Sequence, residues 1–232
     1  MKFIYDASIS LRQLFFPHVC KSCFAEIVYQ EQFLCTRCIS DLPFTEFATL
    51  PENPVEKIFY GRASIVAATS LFFFTPASVV QQLIHLVKYK GQKKLAVYLG
   101  KMMGQEIMQV PRFAGLDMVV PLPLFRSREK TRGYNQAALL ARGISEVLGI
   151  PSNESIIGRN KASATQTRKS REERWKNVDG LFTITGDPGK NRHILLVDDV
   201  ITTGATLDAC ANTLLAIDGV KVSIMTLAYA IQ

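Results

Sequence analysis

Asp198 and Asp199, followed at once by Val200-Ile201 and then Thr202-Thr203-Gly204-Ala205-Thr206, set two carboxylates beside a turn of small, mostly hydroxyl-bearing residues. A turn of that kind can converge backbone N–H groups on an anion, and the N-terminal end of a following helix adds its positive dipole. A phosphate fits it. Carboxylates touching that phosphate would repel it, so the acidic pair is better suited to accepting hydrogen bonds from neutral hydroxyls on the same ligand. A ribose 5-phosphate meets both demands. A lone Asp-Asp ordinarily caps a helix, and it is the whole string that points to a ligand.

A second group with chemistry in it is Cys20-x2-Cys23 and Cys35-x2-Cys38, with eleven residues between the pairs. Each pair can clamp one side of a tetrahedral ion, and thiolates suit Zn²⁺ in closed structural sites. A disulfide framework is the competing reading. The first sixteen residues carry Asp6 and Arg12 through their apolar positions, which does not read as a secretory signal, so the expectation is a cytoplasmic chain with reduced thiols. His18 reads as a surface residue, and Cys210, in a helical stretch after the phosphate turn, as a small hydrophobe.

Two segments are unusually basic. Leu124 to Asn135 holds Arg126, Arg128, Lys130 and Arg132 against Glu129, and Arg159 to Lys176 holds seven basic residues against Glu172 and Glu173, a net +5. The second lies between two expected strands, where a long connection is commonly a lid, a binding loop or a solvated excursion. With a formal charge of +7 and a pI near 9.2, the chain suits anionic partners, whether phosphates or nucleic acid.

The elements that must position these groups follow from periodicity. Ile194 to Val197 are consecutive aliphatics, as in a strand covered on both faces, which puts the acidic pair at the strand's C-terminal end, where open α/β sheets bind ligands. Ser64 to Phe74, Met118 to Val120, Ile156, Val178 to Ile184 and Lys221 to Tyr229 read as further strands. Helical spacing runs from Ala77 through Val80, Leu83, Ile84 and Val87, again over Leu95 to Met108, and from Asn135 to Leu148; Lys88-Tyr89-Lys90-Gly91 joins the first two. The expected fold class is α/β, one parallel sheet flanked by helices, with a small N-terminal four-cysteine module. The expected division is residues 1–45 for a helix and the metal module (filled by Phe24, Ile27, Tyr29 and Phe33), 46–58 for a Pro-rich linker, and 59–232 for the main domain. No apolar run reaches membrane-spanning length.

The thirteen residues Ile194 to Thr206 resemble the phosphoribosyl pyrophosphate (PRPP) signature of type I phosphoribosyltransferases. Together with the cysteine quartet, Lys88-Tyr89-Lys90-Gly91, Pro121-Leu122-Pro123 followed by Arg132-Gly133-Tyr134-Asn135-Gln136, and the Thr165 to Phe182 region, they make nearly the whole chain similar to the ComF family (competence protein F). The resemblance implies that Asp198 and Asp199 hold the ribose 2- and 3-hydroxyls and are the catalytic candidates, that Thr202, Thr203, Gly204, Ala205 and Thr206 wrap the 5-phosphate, and that Lys90, Arg126, Arg132, Arg168 and Arg171 are candidates for the pyrophosphate and lid side. It further implies a type I phosphoribosyltransferase fold, structural zinc on Cys20, Cys23, Cys35 and Cys38, Mg²⁺ arriving with PRPP, and a link to competence through single-stranded DNA and competence-machinery proteins. Three functions follow from it: phosphoribosyl transfer to an unidentified acceptor, PRPP sensing without turnover, or, as the alternative, a single-stranded DNA-binding factor for uptake whose stacking surfaces include Phe125, Tyr134 and Trp175.

Overall fold

A computed structural model describes residues 18–27, 33–125, 130–160 and 180–231. In chain order these form α1 (Thr36–Ser40), α2 (Pro54–Lys57), β1 (Ala68–Phe74), α3 (Val79–Tyr89), α4 (Lys93–Ile107), β2 (Met118–Pro121), α5 (Gln136–Leu148), β3 (Ile157–Arg159), β4 (Phe182–Ile184), β5 (His193–Ile201), α6 (Ala205–Leu215) and β6 (Lys221–Ala230). The first seventeen residues, expected as a helix, lie outside the described residues.

Four strands make one sheet in the order β1-β6-β5-β2, every neighbouring pair parallel. Both faces are covered, as the aliphatic runs require. Leu195 and Val197 of β5 share a core with Leu83, Leu99, Met103, Leu140 and Ile144 of α3, α4 and α5; Ile194 and Leu196 share the other with Leu207, Cys210 and Leu214 of α6 and with Val55 and Phe59. Helices α4 and α5 approach closely because of two glycines: a Cβ on Gly100 would lie 2.2 Å from the Leu140 carbonyl oxygen, and one on Gly143 2.2 Å from that of Val97.

Three expectations are corrected. Ile157–Arg159 and Phe182–Ile184 do not join the parallel sheet; they pair antiparallel in a ribbon of their own, Ile157 opposite Ile184 and Arg159 opposite Phe182. Three residues each is too short to say, from periodicity, which partner a strand takes. The stretch expected as a linker is packed: Asn53, only 3% exposed, donates from Nδ2 to the carbonyls of Phe47, Leu50 and Ala68 (3.2, 3.0 and 2.9 Å), while its Oδ1 accepts from Val55 and Glu56 at the start of α2. Asn53-Pro54 is a helix start, N-cap followed by proline at the first helical position. The buried Glu56 carboxylate then accepts from the amides of Glu52 and Ala68 and pairs with Arg112. Finally, Phe24, expected inside the metal module, is 69% exposed at a positive φ of 62°. Among the described residues no helix is long and apolar enough to cross a membrane.

Candidate functional site

Strand β5 carries the acidic pair to the carboxyl edge of the sheet, and its alternation separates the two side chains. Asp199 turns toward α3, where its Oδ2 lies 2.9 Å from Lys88 Nζ in a pair only 15% and 20% exposed. Asp198 accepts the backbone N–H of Asp199 at 2.8 Å. Burial, and then the negative charge of Asp199, push the Asp198 carboxyl up to about 8, against the opposing pull of that N–H, Lys88 and Arg159. The adjacent carboxylates thus differ: Asp199 is ion-paired, and the Asp198 carboxyl is held above the usual carboxylate range.

Beyond Ile201 the chain turns through Thr202 and Thr203, both exposed, into α6, whose N-cap is Gly204 at φ 71° with no side-chain cap. The first amides of a helix have no intrahelical acceptor, so this turn presents free N–H groups together with the helix dipole. Gly204 is required twice, by its left-handed backbone and because a Cβ there would stand 2.4 Å from Ile58 Cγ2. Ala205 is exposed and Thr206 partly buried on the first turn.

A cavity of about 630 Å³ spans the carboxyl ends of all four sheet strands, touching Phe74, Ala230, Asp198, Asp199 and, just past β2, Leu122. Thr202 and Thr206 line it on the loop side, Gln81, Ile84, His85, Lys88 and Tyr89 on the α3 side, and Phe125, Arg132 and Arg159 complete it. Of the basic residues expected from the sequence, Arg132 is therefore brought to the acidic pair's cavity. Lys90 is exposed at the C-cap of α3 and does not line it. Arg126, Arg168 and Arg171, like Trp175, lie outside the described residues.

The structure explains the Arg132-Gly133-Tyr134-Asn135-Gln136 run. Tyr134 donates its hydroxyl to the Val87 carbonyl in the last turn of α3; Asn135 donates to the Leu122 carbonyl at the end of β2 (3.0 Å) and caps α5 by accepting from Ala137 N (3.1 Å). Arg132 donates to Gln136 Oε1 at 2.8 Å, and its guanidinium lies 5.4 Å from the centre of the Tyr89 ring. One pentapeptide thus ties α3, β2 and α5 together at the cavity mouth. On the opposite side Arg159 lies 3.7 Å over the Phe125 ring. The sequence reading missed Lys88 and the α3 face as site residues. Gln81, Ile84, His85 and Lys88 recur at helical spacing, so the face itself was legible, but which element it would meet was not.

The cysteines form the second site. Sγ atoms of Cys20, Cys23, Cys35 and Cys38 all lie within 4.8 Å of one another, Cys23 and Cys35 at 3.6 Å. A tetrahedral Zn²⁺ with thiolate bonds of about 2.3 Å needs sulfurs roughly 3.8 Å apart, so the quartet fits a closed site. For Cys20, burial acts to raise the thiol, yet the amides of Cys23, Cys35 and Ser22 outweigh it and bring it down to about 6, whereas burial lifts Cys38 to about 12. Cys20 and Cys38 share the core that α3 and α4 enter, and Phe33 stacks on Tyr98 of α4 at 5.4 Å. Cys210 is fully buried on the inner face of α6, and its thiol is raised by that burial.

No protein-family model matches the chain. A DNA utilization protein (YhgH) of Salmonella typhimurium is 31% identical over 200 residues, covering 85% of this chain and 84% of the relative. Competence protein F of Haemophilus influenzae is 28% identical over 220 residues, 93% and 86% of the two chains. The chain belongs to the ComF family. A Bacillus subtilis relative, competence protein ComFC, matches this ComF chain at 39% identity over 98 residues, 42% of this chain and 38% of its own. Among solved structures, adenine phosphoribosyltransferase of Leishmania tarentolae aligns over 76% of the ComF chain and 88% of its own at a TM-score of 0.39 and 14% identity. Glutamine PRPP amidotransferase of Bacillus subtilis aligns over 56% and 25% at a TM-score of 0.38 and 23% identity.

Proposed function

We propose that the chain binds PRPP, or another ribose 5-phosphate ligand, in the cavity over Asp198 and Asp199, with the chemistry of a phosphoribosyltransferase. The observation that carries this reading is the joining, in one cavity, of the ion-paired Asp199, its neighbour Asp198, and Thr202 and Thr206 of the turn at an uncapped helix start. Asp198 and Asp199 accept from the ribose 2- and 3-hydroxyls. Amides of Thr202 to Thr206 and the hydroxyl of Thr206 hold the 5-phosphate. Arg132 and Arg159, which also line the cavity, meet the charge that develops as the anomeric C–O bond to diphosphate breaks.

Among the described residues the cluster of metal-ligating side chains is the cysteine quartet, and Asp199 is already engaged by Lys88. A Mg²⁺ arriving with the ligand would be held mainly by the ligand's own oxygens and would supply neutralisation of the leaving group. The quartet takes a structural zinc, which gives the N-terminal module its fold. Loss of PRPP binding in an Asp198→Ala/Asp199→Ala variant is the expected result; equal binding by variant and parent overturns the reading. Steady-state release of pyrophosphate separates turnover from sensing.

A second reading, single-stranded DNA binding in uptake, is favoured by Arg159 over Phe125 at the cavity rim and by relatives named for DNA utilization and competence. Affinity for an oligonucleotide that does not fall with added salt would count against it, because phosphate contacts release counterions.

A further inference from the structure

Gln136, the first residue of α5, is 1% exposed, and its amide does only half of its hydrogen bonding. Oε1 accepts from Arg132 Nη1 at 2.8 Å, while Nε2, on the same amide carbon, is buried with no hydrogen-bond partner among the described residues. A buried amide N–H₂ without an acceptor is costly, and a methionine here would fill a similar volume without that cost. Its neighbours in the pentapeptide are satisfied: Tyr134 donates to the Val87 carbonyl, and Asn135 donates to that of Leu122 while capping α5. The unused donor therefore stands beside Arg132, a residue that lines the cavity over Asp198 and Asp199 and whose guanidinium is set against the ring of Tyr89, another lining residue.

A primary amide presents its carbonyl oxygen and one N–H side by side along one edge. With Oε1 on Arg132 Nη1, the adjoining N–H comes within reach of an oxygen that accepts from the same guanidinium. We propose that Gln136 is a diphosphate-binding residue: Arg132 and Gln136 Nε2 together take one oxyanion of a diphosphate on the anomeric carbon, and Gln136 Oε1 sets the guanidinium for it. The positive end of α5, a helix of thirteen residues, lies at the same place and adds to the attraction. The ligand class is a sugar bearing an anomeric diphosphate, as against one with a free anomeric hydroxyl. This role rests on the ribose reading of Asp198 and Asp199 and on Arg132 meeting the leaving group.

Calorimetric titration of the full chain with PRPP and with ribose 5-phosphate, each with Mg²⁺, tests it. Gln136→Met should weaken PRPP by about tenfold to a hundredfold, the worth of a hydrogen bond to a charged group, and leave ribose 5-phosphate within about twofold of the parent, which also reports a folded variant. Equal loss of both ligands, or loss of neither, overturns the role. A direct donor and a mere tether for Arg132 are told apart in an Arg132→Met background: adding Gln136→Met should cost PRPP about a further fivefold, and no further loss overturns direct binding. Should Gln136→Met not fold, Gln136→Glu keeps an oxygen for Arg132 and puts an acceptor in place of the donor; it should lose PRPP selectively, and parental PRPP affinity overturns the role. If the parent binds PRPP no tighter than ribose 5-phosphate, the role of Gln136 alone falls; if it binds neither, the ribose reading falls and this role with it.

Discussion

Lys88 Nζ and Asp199 Oδ2 stand 2.9 Å apart at the junction of α3 and the carboxyl edge of the sheet, the ammonium 20% exposed and the carboxylate 15%. Lys88→Met would leave Asp199 without its countercharge in a half-dry site. The expected cost is about 1–2 kcal/mol, less than the loss of a fully buried pair, read by urea denaturation. PRPP affinity should fall with it, and Lys88→Arg should recover most of both. Unchanged stability and affinity in Lys88→Met would show the pair to be inconsequential.

Asp198 gives the pH dependence its sign. Its carboxyl is raised to about 8 in the fold, from an ordinary value of 3.8, so between those limits the folded chain holds a proton that the unfolded chain has released. The stabilisation is full below the ordinary value and is lost as pH rises toward 8. Asp198→Asn, which mimics the neutral carboxyl, should therefore gain in melting temperature over the parent steadily from about pH 4 to pH 8 and level off above. A gap that stays constant with pH would mean that Asp198 titrates normally.

Gly204→Ala combines a left-handed backbone, φ 71°, with a Cβ 2.4 Å from Ile58 Cγ2. Backbone strain of about 1–3 kcal/mol is expected, along with displacement of the loop and a loss of phosphate affinity larger than the loss of stability. Adding Ile58→Ala should relieve the contact and not the φ. Partial rescue is the predicted outcome of thermal melts on the double variant; complete rescue would assign the whole effect to packing.

Removing metal from the cysteine quartet should lower the melting temperature of the chain in one transition. Cys20, Leu34 and Cys38 lie in the same core as Leu83, Val87 and Leu99, so the module cannot unfold without exposing α3 and α4. Calorimetry before and after a strong chelator, with metal stoichiometry measured in parallel, checks this. A separate low-temperature transition with the main one unmoved would show an independent module.

Much of this site was legible in the sequence because it rests on local signals. The aliphatic run into Asp198-Asp199 dictates strand then edge, and Gly204 dictates a turn, whatever the rest of the chain does. The cysteine spacing is equally local. What stayed hidden depends on which surfaces meet: Lys88, not Lys90, reaches Asp199, a choice made by the rotation of α3 on the sheet. The short strands β3 and β4 gave no sign of pairing with each other, and the Pro-rich stretch before β1 looked open only because the three carbonyls bound by Asn53 are scattered from Phe47 to Ala68.

Helix α3 has two audiences. Its inward side chains Val80, Leu83 and Val87 belong to the interior that encloses the cysteine cluster, and its last turn delivers Lys88 to Asp199. Helix α3 therefore joins the packing around Cys20 and Cys38 to the position of the Lys88–Asp199 pair at the sheet edge.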